Sequence, residues 1–198
     1  MEMRDIDTDF FHPVERRPRD AAVFQVVTVA SLIWQSGYEY TVEAVHRLRK
    51  RDVDARLWVA GEGPEQLRLL YTIDDLRLND VVQIAGRLSP EERRRWFQQA
   101  DVFLYTGLCG DTPSAIFEAM ACGLPVVTMD GKGQREEVTD GVEGWVIPIR
   151  NAEAMADALY QLATRPVLRV QMGQAARQRI VEARTVAQLG HSGGRPAA

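Results

Sequence analysis

The richest chemistry lies in one segment. It reads Thr106-Gly107-Leu108-Cys109-Gly110-Asp111-Thr112-Pro113-Ser114, then Ala115-Ile116-Phe117-Glu118-Ala119-Met120-Ala121-Cys122-Gly123-Leu124-Pro125-Val126-Val127. The apolar run Val102-Phe103-Leu104-Tyr105 precedes it, so a strand ends in a long loop and the loop ends in a helix. Asp111 or Thr112 is placed to cap that helix, and Pro113 suits its first turn. The unpaired backbone N–H groups of Ser114, Ala115 and Ile116 then form an anion site that needs no lysine. Glu118 follows about one turn further in. There its carboxylate can accept hydrogen bonds from two adjacent hydroxyls of a ribose, as acidic residues do in dinucleotide folds. The same spacing also fits a helix that merely packs, with Glu118 solvated.

Other reactive side chains form no such constellation. Cys109 and Cys122 have neither metal-ligand spacing nor a disulfide framework, and fit reduced thiols. His12, His46 and His191 are isolated, and His46 reads as a surface residue. Trp34, Trp58 and Trp145 read as packing residues, and Met120 and Met172 as helix core. The run Glu91-Glu92-Arg93-Arg94-Arg95 mixes acids and bases and reads as a solvated helix face. No metal site is expected.

The elements that must position the loop follow from alternating periods. Short apolar runs predict strands over residues 24–30, 56–60, 81–85, 102–105, 125–128 and 144–147. Helical spacing predicts helices over 38–49, 64–76, 114–121, 152–163 and 167–182. A further helix starts at Ser89-Pro90-Glu91-Glu92, with a serine cap, proline at the first helical position and glutamate three residues after the cap. Nearly all-apolar strands alternating with helices imply an α/β fold: a doubly wound, Rossmann-like parallel sheet of about six strands with helices on both faces. Ligands of such folds bind at the carboxyl ends of the strands. Residues 1–22 are polar and arginine-rich and read as a linker, 23–185 as the folded domain, and 186–198 as a disordered tail.

The 198 residues are 45% hydrophobic and 26% charged, an ordinary globular composition that excludes a disordered chain or a disulfide-stapled miniprotein. The formal net charge of −4 makes nucleic acid a poor partner. The charged start, Met1-Glu2-Met3-Arg4-Asp5, is no secretory signal, and no apolar run approaches the ~20 residues of a membrane span. A cytoplasmic location is expected.

The sequence resembles the C-terminal domain of family 4 glycosyltransferases, the group 1 glycosyl transferases of the GT-B fold. The family signature is a glutamate, seven residues, then a second glutamate in Glu-Ala-Met-Ala-x-Gly-x-Pro-Val-Val; its second half stands complete from residue 118 to 127. Gly61-Glu62-Gly63-Pro64 matches the Gly-x-Gly-Pro turn. Val82-Gln83-Ile84-Ala85-Gly86 with Arg87-Leu88 matches the strand and loop that lie against the base. Gly133, Glu136-Glu137-Val138 and Asp140-Gly141 match the loop after the fifth strand. Trp34 and Gly37-Tyr38-Glu39-Tyr40 resemble the start of the first helix, and Asp5-Ile6-Asp7-Thr8-Asp9-Phe10-Phe11-His12-Pro13 resembles the segment joining the family's two domains. The motifs fall in order over roughly residues 6–182.

The resemblance implies a retaining enzyme that moves a sugar from a nucleoside diphosphate sugar to a glycan or lipid-linked acceptor, with no metal or cofactor. It implies that this chain is the donor-binding half. The acceptor site then belongs to an N-terminal domain in cis or in trans, which is also the route to any peripheral membrane association. By the same resemblance, Glu118 binds the ribose, and Gly63, Arg87, Leu88, Ser114, Ala115 and Ile116 line the nucleotide. The family's first signature glutamate falls on Gly110, which leaves Asp111 as the candidate catalytic residue. Its diphosphate-binding basic pair falls on Ser31 and Ser36, which leaves Lys132 as the candidate to return one charge. These departures keep a second reading open: a degenerate, non-catalytic nucleotide-binding or interaction module of the same fold. A third, an unrelated doubly wound domain, predicts no binding of nucleoside diphosphates.

Overall fold

A computed structural model describes residues 3–14, 23–109, 112–131 and 134–192. Asp111 and Lys132 therefore lie outside the described residues, as does Gly110. Six strands, β1 (Phe24–Val29), β2 (Ala55–Ala60), β3 (Val82–Ile84), β4 (Val102–Tyr105), β5 (Val126–Met129) and β6 (Gly144–Ile147), form one sheet in the order β3-β2-β1-β4-β5-β6. Every pairing is parallel. Helices α1 (Tyr38–Arg49), α2 (Gln66–Asp75), α3 (Pro90–Gln99), α4 (Ser114–Ala121), α5 (Gln134–Glu137), α6 (Ala152–Thr164) and α7 (Pro166–Ser192) make the crossovers and the chain's end. This is the doubly wound order, and its direction reverses between β1 and β4.

The strands are apolar on both faces because both faces are covered. Val26, Leu57, Leu104 and Val127 pack against α1, α2 and α6 through Val42, Val45, Ile73 and Leu159. Their neighbours one residue away, Val27, Phe103 and Val126, pack on the other face against Phe97 of α3, Ile116 and Phe117 of α4 and Ile180 of α7. A strand's period of two sends alternate residues to opposite layers, so apolar residues dominate both faces, and buried polar exceptions such as Gln25 and Thr128 hydrogen-bond to backbone carbonyls.

Two expectations about the termini change. Residues 3–14 are not a free linker: Ile6 and Phe11 are buried in the second core layer. Arg177 of α7 fastens the segment by donating to the carbonyls of Thr8 (3.0 Å), Phe11 (2.9 Å) and, on α4, Ala121 (2.8 Å). Arg184 adds bonds to Thr8 Oγ1 and Asp9 Oδ2. The polar composition of 1–22 hides these few apolar anchors. At the other end α7 continues to Ser192, so the tail expected from 186 begins as helix. No proline interrupts it after Pro166, and a lone glycine such as Gly190 costs a helix only about 1 kcal/mol. Strand β3 is shorter than expected, three residues at the sheet edge, with β2 its one partner among the described residues.

Candidate functional site

Where the strand order reverses, a cleft of about 340 Å³ opens at the carboxyl ends of β1 and β2. Its floor is Ala30 and Ser31 after β1 and Ala60, Gly61 and Glu62 after β2; Arg87 and Leu88 form one wall, and Pro113, Ser114 and Ala115 at the start of α4 form the other. Gly61 allows the floor to close. It sits at φ +150°, and a Cβ there would come 1.9 Å from the Ala30 carbonyl oxygen, so only glycine lets the two loops cross this closely. Ala30's carbonyl is also held from below by the Tyr38 hydroxyl, which donates to it at 2.7 Å; burial pushes this phenol well above its ordinary range, so it stays a donor.

The start of α4 offers its amides. Pro113, not Asp111 or Thr112, is the N-cap residue, and no side chain caps the helix among the described residues. The amide of Ile116 turns back to the Pro113 carbonyl (3.0 Å) and its side chain is fully buried, so Ile116 leaves the expected anion site. Ser114 and Ala115 remain at the cleft surface.

Glu118 is not solvated. It is 3% exposed and sits behind two cleft-lining residues, Ser114 and Arg93, the latter placed by sequence reasoning in a solvated run. Arg93 of α3 donates from Nε to Glu118 Oε2 (2.8 Å) and from Nη2 to Oε1 (3.0 Å), a two-pronged pair, while its Nη1 donates to the Leu88 carbonyl (3.2 Å). Ser114 Oγ sits 3.4 Å from Glu118 Oε1. Arg93 itself lines the cleft. Of the three arginines, Arg94 also turns inward, over the Phe10 ring at 4.5 Å, and Arg95 alone is exposed. The signal for Arg93 was present. Its position one turn before the buried Phe97 on a helix whose start is fixed by Ser89 puts both on the inward face.

The remaining expected residues divide. Ser31 and Arg87 line the cleft, and Arg87 stands 3.6 Å from Glu62 with its side chain largely in water. Ser36 does not face the cleft. It is buried, its hydroxyl donates to the Ser31 carbonyl (2.7 Å), and its own carbonyl accepts from Thr106 Oγ1 (2.7 Å). Gly63 packs behind the floor, where a Cβ would lie 2.3 Å from the Leu32 carbonyl oxygen. Trp34 is exposed, contrary to its expected packing role, whereas Trp58 packs against Trp96, the rings tilted with centroids 5.2 Å apart.

A larger cavity of about 740 Å³ lies at the opposite, amino end of the sheet, between α7 and the residues around Gly123. Its charged groups are already engaged: Arg177 on three carbonyls and Arg169 near Asp101 at 3.7 Å. The chemistry therefore sits in the smaller cleft. Among the described residues, no cluster of three or more His, Cys, Asp or Glu side chains is placed to hold a metal, and no helix is long and apolar enough to cross a membrane.

A doubly wound parallel sheet with a cleft at its switch point, walled on one side by the start of a helix, defines a Rossmann-like α/β domain. The chain belongs to the glycosyl transferases group 1 family, whose model matches residues 13–179. It is 32% identical over 162 residues to the amylovoran biosynthesis glycosyltransferase AmsK of Erwinia amylovora, covering 79% of this chain and 40% of that protein. The chain thus spans well under half of that relative's length. Among solved structures, it superposes on the C-terminal domain of the group 1 glycosyl transferase LpcC from Francisella tularensis with a TM-score of 0.76 at 19% identity, covering 89% of this chain and 97% of that one. It also superposes on Anabaena HepE in complex with UDP and glucose (TM-score 0.79, 18% identity), covering 95% of this chain but 55% of the other.

Proposed function

We propose that this chain is the donor-binding half of a retaining glycosyltransferase, which moves a sugar from a nucleoside diphosphate sugar to a glycan or lipid-linked acceptor. The observation that carries the reading is Glu118. It belongs to an intact Glu-Ala-Met-Ala-Cys-Gly-Leu-Pro-Val-Val run and contacts Arg93 and Ser114, two residues that line a cleft at the carboxyl ends of the strands. In this reading the ribose hydroxyls donate to the carboxylate lone pairs that Arg93 leaves open, and Arg87 and Leu88 flank the base. The diphosphate meets the amides of Ser114 and Ala115. The bond from the anomeric carbon to the diphosphate breaks, the sugar passes to an acceptor hydroxyl, and the helix start stabilises the charge gathering on the leaving diphosphate. The acceptor comes from a second domain, in cis or in trans, and Asp111 is the candidate to face the sugar. HepE, of the same fold, was crystallised with UDP and glucose, which fits this ligand class.

Titration calorimetry of the chain with UDP, GDP and ADP tests the reading. Micromolar to millimolar binding of one of them, weakened at least about tenfold by Glu118→Ala, is expected, since a charge-assisted hydrogen bond is worth about 1.5–3 kcal/mol. Absence of binding by all three at millimolar concentration would refute it. The second reading, a module that keeps the fold without transfer, draws on Ser36, whose hydroxyl is spent on the Ser31 carbonyl rather than turned to the cleft. It predicts nucleotide binding with no transfer even when the acceptor domain of a relative is supplied.

A further inference from the structure

A nucleoside diphosphate brings two or more negative charges into a cleft whose floor already holds a carboxylate. Ser31 and Ser36 supply no cation, and Ser36 is turned away. Among the described residues only Arg87 and Arg93 bring positive charge to the lining. Arg87 has 84% of its side chain in water and stands near Glu62, so solvent screens it heavily. Arg93 is different: its side chain is 24% exposed, and its guanidinium is fixed at three points, two on Glu118 and one on the Leu88 carbonyl. A guanidinium carries five N–H groups. With three used, one N–H remains on Nη1 and one on Nη2. One carboxylate separates this group from Ser114, the first residue of α4, because Glu118 Oε1 contacts both Nη2 and Ser114 Oγ.

We propose that Arg93 is the phosphate-binding cation of this cleft: pinned side-on by Glu118, it turns its two remaining N–H groups toward the diphosphate held at the start of α4. The inference rests on the nucleotide reading above and adds the residue that meets the ligand's charge. The pair works both ways. Glu118 prevents the long arginine side chain from swinging into solvent, so little rotamer freedom is lost when the anion arrives. Arg93 in turn cancels the negative charge that Glu118 would otherwise present to an incoming anion.

The test compares uridine, UMP and UDP on the chain and on Arg93→Gln, Arg93→Lys and the double variant Arg93→Gln/Glu118→Gln. The double variant removes both charges, so it stays folded if stranding Glu118 unfolds the single one. Circular dichroism checks the fold of each. The quantity read is the ratio of UDP to uridine affinity, in which losses through the base and ribose cancel. Arg93→Gln and the double variant are expected to lower that ratio about tenfold or more, UMP to fall between, and Arg93→Lys to recover part of it. The salt dependence of UDP binding is expected to flatten in both glutamine variants. An unchanged ratio, with UDP and uridine weakened equally, would reduce Arg93 to a structural role and overturn the inference while leaving the nucleotide reading intact. Tighter UDP binding by Arg93→Gln would overturn it too, making Arg93 a lock on Glu118. If the unaltered chain binds GDP or ADP in place of UDP, the same ratio is read with that nucleoside series; if it binds none of the three diphosphates at millimolar concentration, the reading beneath it falls as well.

Discussion

Replacing Arg93 and Glu118 by leucine, singly and together, is expected to give unequal single costs and a strongly non-additive double. The two hydrogen bonds of 2.8 and 3.0 Å bring the charges close. At about 4 Å between charge centres and an effective dielectric of about 20, their attraction is about 4 kcal/mol. Arg93 keeps 24% of its side-chain surface in water, which screens the pair and brings the figure down to about 2–3 kcal/mol. The two ends are not equivalent. With Glu118 gone, the arginine's flexible stem lets its charge turn into the cleft, so Glu118→Leu is expected to cost about 1–2 kcal/mol. With Arg93 gone, Glu118 has 4% of its side chain exposed and, among the described residues, only Ser114 Oγ as a side-chain partner, so Arg93→Leu is expected to cost about 3 kcal/mol. Leucines packed against each other leave no charge stranded, so the double variant is expected to be about 2–3 kcal/mol more stable than the sum of the singles implies. Urea unfolding followed by circular dichroism, with slopes compared across the four proteins, reads these values. Additivity within about 0.5 kcal/mol, or Glu118→Leu costing more than Arg93→Leu, would refute the reasoning.

Two further outcomes are expected. The box that starts α3 is pH-dependent: the Ser89 backbone N–H donates to Glu92 and holds its carboxyl below the usual 4.5, so the box stabilises the fold above that range and loses its effect as pH falls through the depressed value. The difference in urea midpoint between the chain and Glu92→Gln should therefore shrink steadily from pH 6 to pH 3; a constant difference would contradict this. The cysteines should separate in reactivity, since Cys109 is exposed while burial pushes the Cys122 thiol up to about 12. A thiol reagent at pH 8 should label one equivalent in the native chain and the second only after unfolding, and rapid labelling of both would contradict the packing of Cys122.

Much of the architecture was legible because it rests on local rules. Strands such as Val102-Phe103-Leu104-Tyr105 are apolar at every position, which only a sheet covered on both faces requires. Helix α3 begins at Ser89, as its cap, proline and glutamate dictate. The family was legible too, since the run from Glu118 to Val127 and the turn at Gly61-Glu62-Gly63 are contiguous stretches whose residue types carry their own constraint. Misjudgements cluster where a short sequence looks the same in two environments. Three consecutive arginines read as solvent-facing, yet α3 turns two of them inward. Residues 3–14 read as linker because their charges outnumber Ile6 and Phe11, the residues that fasten them.

The sequence by itself determined where the six strands and the main helices begin to within about two residues, the α3 start at Ser89, and that an acidic side chain would stand one turn into the helix after β4, while the short helix α5 went unread. Local sterics, hydrogen-bonding capacity and the periods of 2 and 3.6 act over a few residues, so neighbours suffice to express them. Only the tertiary structure decided what Glu118 meets. Arg93 is 25 positions away in the chain, and the two come together because β4 and its crossovers lay α3 beside α4. The same holds for Ser36, bonded back to Ser31, and for Gly61, whose missing side chain matters only because another strand's loop crosses it. Such contacts depend on how whole layers are stacked, and a buried charge has no meaning until that stacking supplies the group that neutralises it.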